Sequence, residues 1–204
     1  MTPMLLTDAD RVRLGRRAQM LAGMSVAYNA IEAIIAIAAG AAASSIALVG
    51  FGLDSIVEMS SALIILWQFR HPMPQVRERR ALRLIALSFF ALATYVAIES
   101  LRALFDGHAA ATSTVGIAVA TVSLVVMPGL SWAQRRTGRA LGSTTVVADS
   151  KQTLLCTYLS AVLLVGLLLN AWLGWWWADP VVGLVVAGLA VREGRDAWRG
   201  EGCC

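Results

Sequence analysis

Residues 46–67 read IALVGFGLDSIVEMSSALIILW, an apolar run of 22 residues interrupted by two acids. A transmembrane helix needs about 20 largely apolar residues, so this run is long enough to cross a bilayer. Asp54 and Glu58 are four residues apart, and a helix places them on one face, about one turn from each other. The run predicts a membrane helix that carries two acidic side chains into the bilayer.

Most of the remaining sequence is also apolar. Hydrophobic residues make up 58% of the 204 residues, whereas soluble domains average about 45–50%. We therefore predict an all-α integral membrane protein with a single domain over residues 1–204, in which six transmembrane helices follow a short cytoplasmic segment at about residues 1–17. The expected spans are about residues 18–40, 46–69, 82–105, 112–133, 143–173 and 178–196, the last opening on Asp179 and Pro180, which are typical of helix N-termini.

Basic residues are concentrated in alternate connections. Arginines precede the first span, surround the second connection, follow the fourth span and close the chain, whereas the connections between hold only Arg102. Arginine-rich connections stay in the cytoplasm, so both termini are expected there, in a multi-pass protein of the cell (inner) membrane. This distribution accounts for the net charge of +4, and nucleic-acid binding is not needed to explain it.

Acidic side chains outnumber basic ones inside the predicted spans. The acids in or near the membrane are Asp54, Glu58, Glu32, Glu99 and Asp149. A charged side chain at a helix centre costs about 2.5–3.5 kcal/mol, and the nearest basic residues lie toward the helix ends. Ion pairing therefore cannot serve all of these acids. Protonation, a hydrated cavity or a bound cation must stabilise the rest, as in carriers of cations or protons.

Two of these acids have alternative partners on their own helices. Glu32 and Asn29 form a polar stripe that faces the bundle, where it either binds an ion or hydrogen bonds to neighbouring helices. Glu99 can pair with Arg102, three residues later. Both interpretations stay open at this point.

Residues 148–160, ADSKQTLLCTYLS, place a second set of polar side chains on the fifth helix. Asp149, Gln152 and Cys156 fall on one stripe at spacings of three and four. Carboxylate and amide oxygens suit hard cations, whereas a thiolate shifts the preference toward zinc or cadmium. Cys156 can alternatively serve only as a packing residue. The candidate metal ligands are therefore Asp54, Glu58, Asp149, Gln152, Cys156 and Glu32.

The chain resembles the cation diffusion facilitator family over essentially its whole length. The residues that carry the resemblance are SIALVGFGLDSIVEMSS (45–61), ADSKQT (148–153) and LGWWWADPVVGLVVAG (173–188). The resemblance implies six helices with both ends inside, a homodimer, and metal export in exchange for protons. The family's pair of acids in helix 2 corresponds to Asp54 and Glu58, although its second member is more often Asp.

The fifth helix departs from the family pattern. There the family usually has His or Asp, followed four residues later by Asp, whereas this chain has Gln152 and Cys156, or Thr153 and Thr157 in the shifted register. The identity of the metal is therefore open, and Asp149 is expected to supply the missing carboxylate. Most members also carry a cytoplasmic metal-sensing domain. This chain ends without one and resembles a truncated member.

We interpret the chain as a divalent cation transporter that works by alternating access. It needs no resident cofactor, and its substrate is expected to be Zn²⁺, with Cd²⁺, Mn²⁺, Fe²⁺ and Co²⁺ as alternatives. Its other partners would be protons and the lipid bilayer. The alternative functions are a proton-coupled carrier of a non-metal solute and a non-transporting membrane assembly protein. No convergent nucleophile, base or phosphate-binding loop indicates an enzyme.

Overall fold

Six α-helices form the described part of the chain. The computed structural model describes residues 8–68, 75–107 and 110–199, and the predicted segment before the first span lies partly outside them. The helices are α1 (Asp8–Ala43), α2 (Ile46–Gln68), α3 (Gln75–Asp106), α4 (Thr114–Leu141), α5 (Thr144–Leu173) and α6 (Ala178–Arg199). These residues contain no strand, and the predicted all-α class is confirmed.

Three of the helices are longer than the spans expected from hydropathy. The first turns of α1 and α3 and the last turns of α4 continue through arginine-rich sequence that was expected to lie outside the spans. Arginine is a good helix former, and a helix does not have to end at the membrane surface. Hydropathy therefore located the apolar stretches but underestimated the length of these helices.

Helix α2 lies at the centre of the bundle. It contacts α1, α3, α5 and α6, while the other extensive contacts join α4 to α5, α3 to α6 and α1 to α4. The side chains of α2 thus meet groups from most of the other helices, and a polar residue on it can be surrounded by protein.

The bundle has apolar side chains on the outside and many polar side chains inside. Ile34 and Val125 are 71% and 73% exposed, whereas Asn29, Ser123 and Ser160 are fully buried. Helices α1, α3, α4 and α5 each contain a described stretch long and apolar enough to cross a membrane. Such an exterior fits lipid, since polar groups within a bilayer must find partners inside the protein.

The start of α2 is held by a side chain from α6. Asp179 accepts hydrogen bonds from the Ser45 hydroxyl and from the backbone N–H groups of Ile46 (2.9 Å) and Ala47 (3.4 Å). The first N–H groups of a helix have no partner within the helix, and a negative charge there is favourable. Asp179 therefore caps α2 in addition to opening its own helix, and it fixes the N-terminal ends of α2 and α6 side by side.

Two glycines let α1 and α2 approach closely. A Cβ atom added at Gly40 would lie 2.7 Å from the backbone nitrogen of Val49, and one added at Gly52 would lie 3.0 Å from that of Ile37. A contact of 2.7 Å is closer than Cβ atoms come to backbone, and 3.0 Å is very tight, so a side chain at either position would require the helices to shift. The close approach places Glu32 of α1 beside α2.

Replacing Asp179 by Ala should destabilise the fold by about 1–2 kcal/mol, because the first turn of α2 loses its cap. Thermal unfolding of the detergent-purified protein measures this as a lower melting temperature, and Asp179→Asn should give a smaller decrease. The matched control is Asp106→Ala, which removes an exposed acid at the end of α3. Equal melting temperatures for the two alanine variants would show that the cap does not stabilise the fold.

Candidate functional site

Glu58 lies in the interior of the bundle. Its side chain is 1% exposed and faces Thr153 and Cys156 of α5 and Asn29 of α1. The Nδ2 atom of Asn29 donates to the Ser25 hydroxyl (3.2 Å), whereas the buried Oδ1 atom of Asn29 accepts no hydrogen bond from the described residues. A carboxylate, a hydroxyl, a thiol and a side-chain amide are thus gathered where α1, α2 and α5 meet.

Asp54, one turn earlier on α2, lines a small pocket. It is 9% exposed and shares the pocket with Gln152 and Cys156 of α5 and with Glu193 of α6. The remaining wall is apolar and is made by Phe89, Leu155, Leu159, Leu189 and Ala190. The pocket has a volume of about 20 Å³, which is enough for one water molecule or a small ion.

The charges around Asp54 are negative. Glu58, Glu193 and Glu32 act on it electrostatically, and no basic side chain of the described ranges is among the groups that do. Like charges brought together in a medium of low dielectric constant repel strongly, and a cation between them reverses the sign of the interaction. The pocket therefore has the electrostatic character of a cation site.

Glu32 lies near the pocket but in a hydrogen-bond network of its own. Its carboxylate accepts from Ser55 of α2 (2.8 Å) and from Ser123 of α4. The hydroxyl oxygens of Ser123 and Tyr28 are 2.9 Å apart, and Tyr28 is left to donate because Ser123 already donates to Glu32. Glu32 thus ties α1, α2 and α4 together next to Asp54, with both of its oxygens accepting hydrogen bonds.

Two other acids from the predicted spans lie apart from the pocket lining. Asp149 is 5% exposed and accepts a hydrogen bond of 2.8 Å from the side-chain nitrogen of Gln134 on α4. Glu99 forms an ion pair of 2.7 Å with Arg102 near the end of α3. The fold therefore brings together Asp54, Glu58, Gln152 and Cys156, whereas Asp149 joins α5 to α4.

Glu193 is the pocket residue that the sequence interpretation missed. Glu193 lies within the last predicted span, between Arg192 and Arg195 at its cytoplasmic end, and it was not among the candidate ligands. Helical spacing could have identified it, because Val186 and Ala190 are buried and Glu193 continues their face of α6. The charged C-terminal end of α6 therefore contributes one acidic side chain, Glu193, to the lining of the pocket.

The candidate metal ligands do not form a ready cluster of strong ligands in the described residues. Within residues 8–68, 75–107 and 110–199, no three His, Cys, Asp or Glu side chains come close enough together to hold a metal ion. A cation in this pocket would be held by the carboxylates together with amide, hydroxyl or solvent oxygens, or after a small movement of the helices.

Lipid-compatible helices around a buried acidic pocket define a multi-pass helical membrane protein of the kind that handles cations. The chain belongs to the cation efflux family, the cation diffusion facilitators, since residues 83–199, more than half of it, match the cation efflux transmembrane domain. The members of this family are transporters and not enzymes. In bacteria, such a protein lies in the inner membrane.

A curated relative shows the same likeness over a shorter stretch. The chain is 36% identical over 75 residues to the cation-efflux pump FieF of Shewanella oneidensis. This alignment covers 37% of the chain and 25% of the relative. Gln152, Cys156 and Glu193 lie within the matched family domain, whereas Asp54 and Glu58 precede it.

Replacing Ser123 by Ala should destabilise the protein by about 1–3 kcal/mol, because the buried Glu32 carboxylate loses a hydrogen bond. The measurement is again the melting temperature of the purified protein. Thr121→Ala is the matched control: it lies two residues away on α4, is exposed, and donates only to the carbonyl of Ile117. If the serine variant is no less stable than the threonine variant, Glu32 does not tie the helices together.

Proposed function

We propose that the protein transports a divalent metal cation across the membrane through the pocket at Asp54. The observation that carries the proposal is the burial of Asp54 and Glu58, one turn apart on the central helix, among groups that can ligate a metal. Asp54 is almost completely buried and the charged groups of the described ranges that act on it are acids, so a cation or a proton would stabilise it. Membership of the cation efflux family supports the same conclusion.

We propose Zn²⁺ or Cd²⁺ as the preferred substrate, with Mn²⁺, Fe²⁺ and Co²⁺ as weaker ones. The ligands would be the carboxylates of Asp54 and Glu58, the Gln152 amide and the Cys156 sulfur. Sulfur favours the softer cations, while carboxylate and amide oxygens accept all of them. The Asn29 side chain lies beside Glu58, and its buried Oδ1 atom is an oxygen of the type that such cations bind.

Asp149 and Glu32 are proposed to join the coordination in other states of the transport cycle. Asp149 would first have to leave Gln134, and Glu32 would have to give up the hydroxyls of Ser55 and Ser123. Both changes require relative movement of α1, α4 and α5. Such movement is what a carrier needs to expose one site alternately to the two sides.

The proposed cycle exports metal from the cytoplasm in exchange for protons, in a homodimer, as the family resemblance implies. Metal binds to deprotonated carboxylates, so proton binding and metal binding at Asp54 and Glu58 exclude each other. After the helices rock and the site opens outward, protons would replace the metal and return with the empty carrier. The two acids would then carry either a metal ion or protons whenever the carrier changes the side to which the site is open.

Asp54→Asn and Glu58→Gln should each lower metal affinity by at least about tenfold, which corresponds to the loss of roughly 1.4 kcal/mol of binding free energy. Isothermal titration of the purified protein with Zn²⁺ and Cd²⁺ measures the affinity. Uptake into proteoliposomes across Zn²⁺, Cd²⁺, Mn²⁺, Fe²⁺ and Co²⁺ measures transport. Each variant has nearly the size and shape of the side chain it replaces, so the fold should be retained.

Glu99→Gln is the control for these variants, since it removes an acid from the outer part of α3 that pairs with Arg102. It should bind and transport metal like the unmodified protein. Unchanged affinity in Asp54→Asn and Glu58→Gln would reject the site. Proton-coupled flux of another solute without any metal dependence, or no flux of any kind, would reject metal transport itself.

Cys156→Ser should decrease transport of Cd²⁺ relative to Mn²⁺ several-fold, because an oxygen replaces the sulfur ligand in a side chain of almost the same size. Cys156 is 2% exposed and lines the pocket, so the change is confined to its chemistry. Competitive uptake of the two ions into proteoliposomes gives the ratio directly. Thr157→Ala, on the next residue of α5, should leave it unchanged. An unaltered ratio in Cys156→Ser would mean that Cys156 only packs.

A further inference from the structure

We propose that Glu193 of α6 is a cation ligand that captures the metal at the cytoplasmic mouth of the pocket and passes it to Asp54. This inference rests on the proposed function and adds a residue from a third helix to its site. It assigns a role to an acid that neither the helix 2 motif nor the helix 5 stripe contains.

The pocket joins Glu193 to the buried Asp54. Asp54, Gln152, Cys156 and Glu193 line the same cavity of about 20 Å³, and the remaining wall is apolar. Asp54 is 9% exposed, whereas Glu193 is only partly buried. A cation that moves along this pocket would therefore bind Glu193 while it is still partly hydrated. It would bind Asp54 only after it has lost more of its hydration water.

The order of the two carboxylates along the membrane follows from the cap on α2. Asp179 holds the first turns of α2 and α6 together, so both helices run inward from one level. Asp54 is eight residues beyond Ile46 and Glu193 is fourteen beyond Asp179, which places them about 12 and 21 Å from that level. Glu193 thus lies about 9 Å nearer the arginine-rich ends of the helices, which are predicted to face the cytoplasm.

The electrostatic surroundings of Glu193 leave it available to a cation. It acts on Asp54 through space, and the charged groups that act on it in turn are Asp196 and Arg192. Arg192 acts on Glu193 electrostatically, but the salt bridge that the described residues show is between Arg102 and Glu99, not between Arg192 and Glu193. A divalent cation between Glu193 and Asp54 would replace their repulsion by two attractions.

Asp196 provides a matched control. It lies three residues after Glu193 on the same helix, carries the same charge and is also partly buried, but it does not line the pocket. Neutralising either residue changes the net charge of this end of the protein equally. A difference between Glu193→Gln and Asp196→Asn therefore reports ligation and not general attraction of cations to the surface.

The experiment is Zn²⁺ and Cd²⁺ uptake by the full-length protein in proteoliposomes, over a range of metal concentrations, for the unmodified protein, Glu193→Gln, Glu193→Asp and Asp196→Asn. Glu193→Gln should raise KM at least about fivefold, a change of roughly 1 kcal/mol, with a less than twofold change in maximal rate. Glu193→Asp should recover part of the loss, and Asp196→Asn should leave KM unchanged. Melting temperatures for all variants separate loss of capture from loss of folding.

Equal KM values for Glu193→Gln and Asp196→Asn would overturn the inference, as would an increase shared by both that disappears at high ionic strength. The inference would also be overturned if both single variants, Glu193→Asp and Glu193→Gln, had the KM of the unmodified protein. Asp54→Asn, assayed in parallel, tests the proposed function separately. If unmodified protein transports metal and Asp54→Asn does not, a failure at Glu193 concerns this residue alone, whereas transport by Asp54→Asn at the normal rate rejects the central site.

Discussion

The rest of the structure depends on the cost of keeping two carboxylates inside a bundle whose outer surface is apolar. Asp54 and Glu58 are almost completely buried on α2, and the charged groups around Asp54 are acids. Left ionised and alone, they would destabilise the fold by several kcal/mol, which is a large fraction of the stability of a domain of this size. A bound cation or bound protons remove that penalty. The stability of each state of the protein is thereby linked to what occupies the pocket.

The other polar contacts hold the helix that carries these acids in place. At its start, α2 is capped by Asp179 of α6, and next to Asp54 the Ser55 hydroxyl donates to Glu32 of α1. Glu32 is bound in turn by Ser123 of α4. Because α2 also contacts α3 and α5, its two acids are surrounded by side chains from most of the other helices. A movement of any of these helices would change the surroundings of the pocket, which is the coupling that alternating access requires.

Hydropathy and helix-capping rules predicted some features of the fold correctly and missed others. The apolar stretches located all six helices, because most of the side chains that face lipid or the bundle interior must be apolar. Hydropathy missed the arginine-rich extensions of α1, α3 and α4, because helix propensity continues where hydropathy stops. The capping rule placed a helix start at Asp179, but it could not indicate that the same carboxylate would cap the first turn of α2, which is distant in sequence.

By itself, the sequence determined that the chain is a helical membrane protein with acids inside, since length, apolar content and the spacing of Asp54 and Glu58 are properties of single segments. It also carried the family resemblance, which the match to the cation efflux domain confirms. The tertiary structure alone decided which groups share the pocket: Glu193 lines it with Gln152 and Cys156, while Asp149 bonds to Gln134. The physical reason is that residue spacing fixes the face of a helix on which a side chain lies, but only packing fixes the rotation of each helix toward its neighbours.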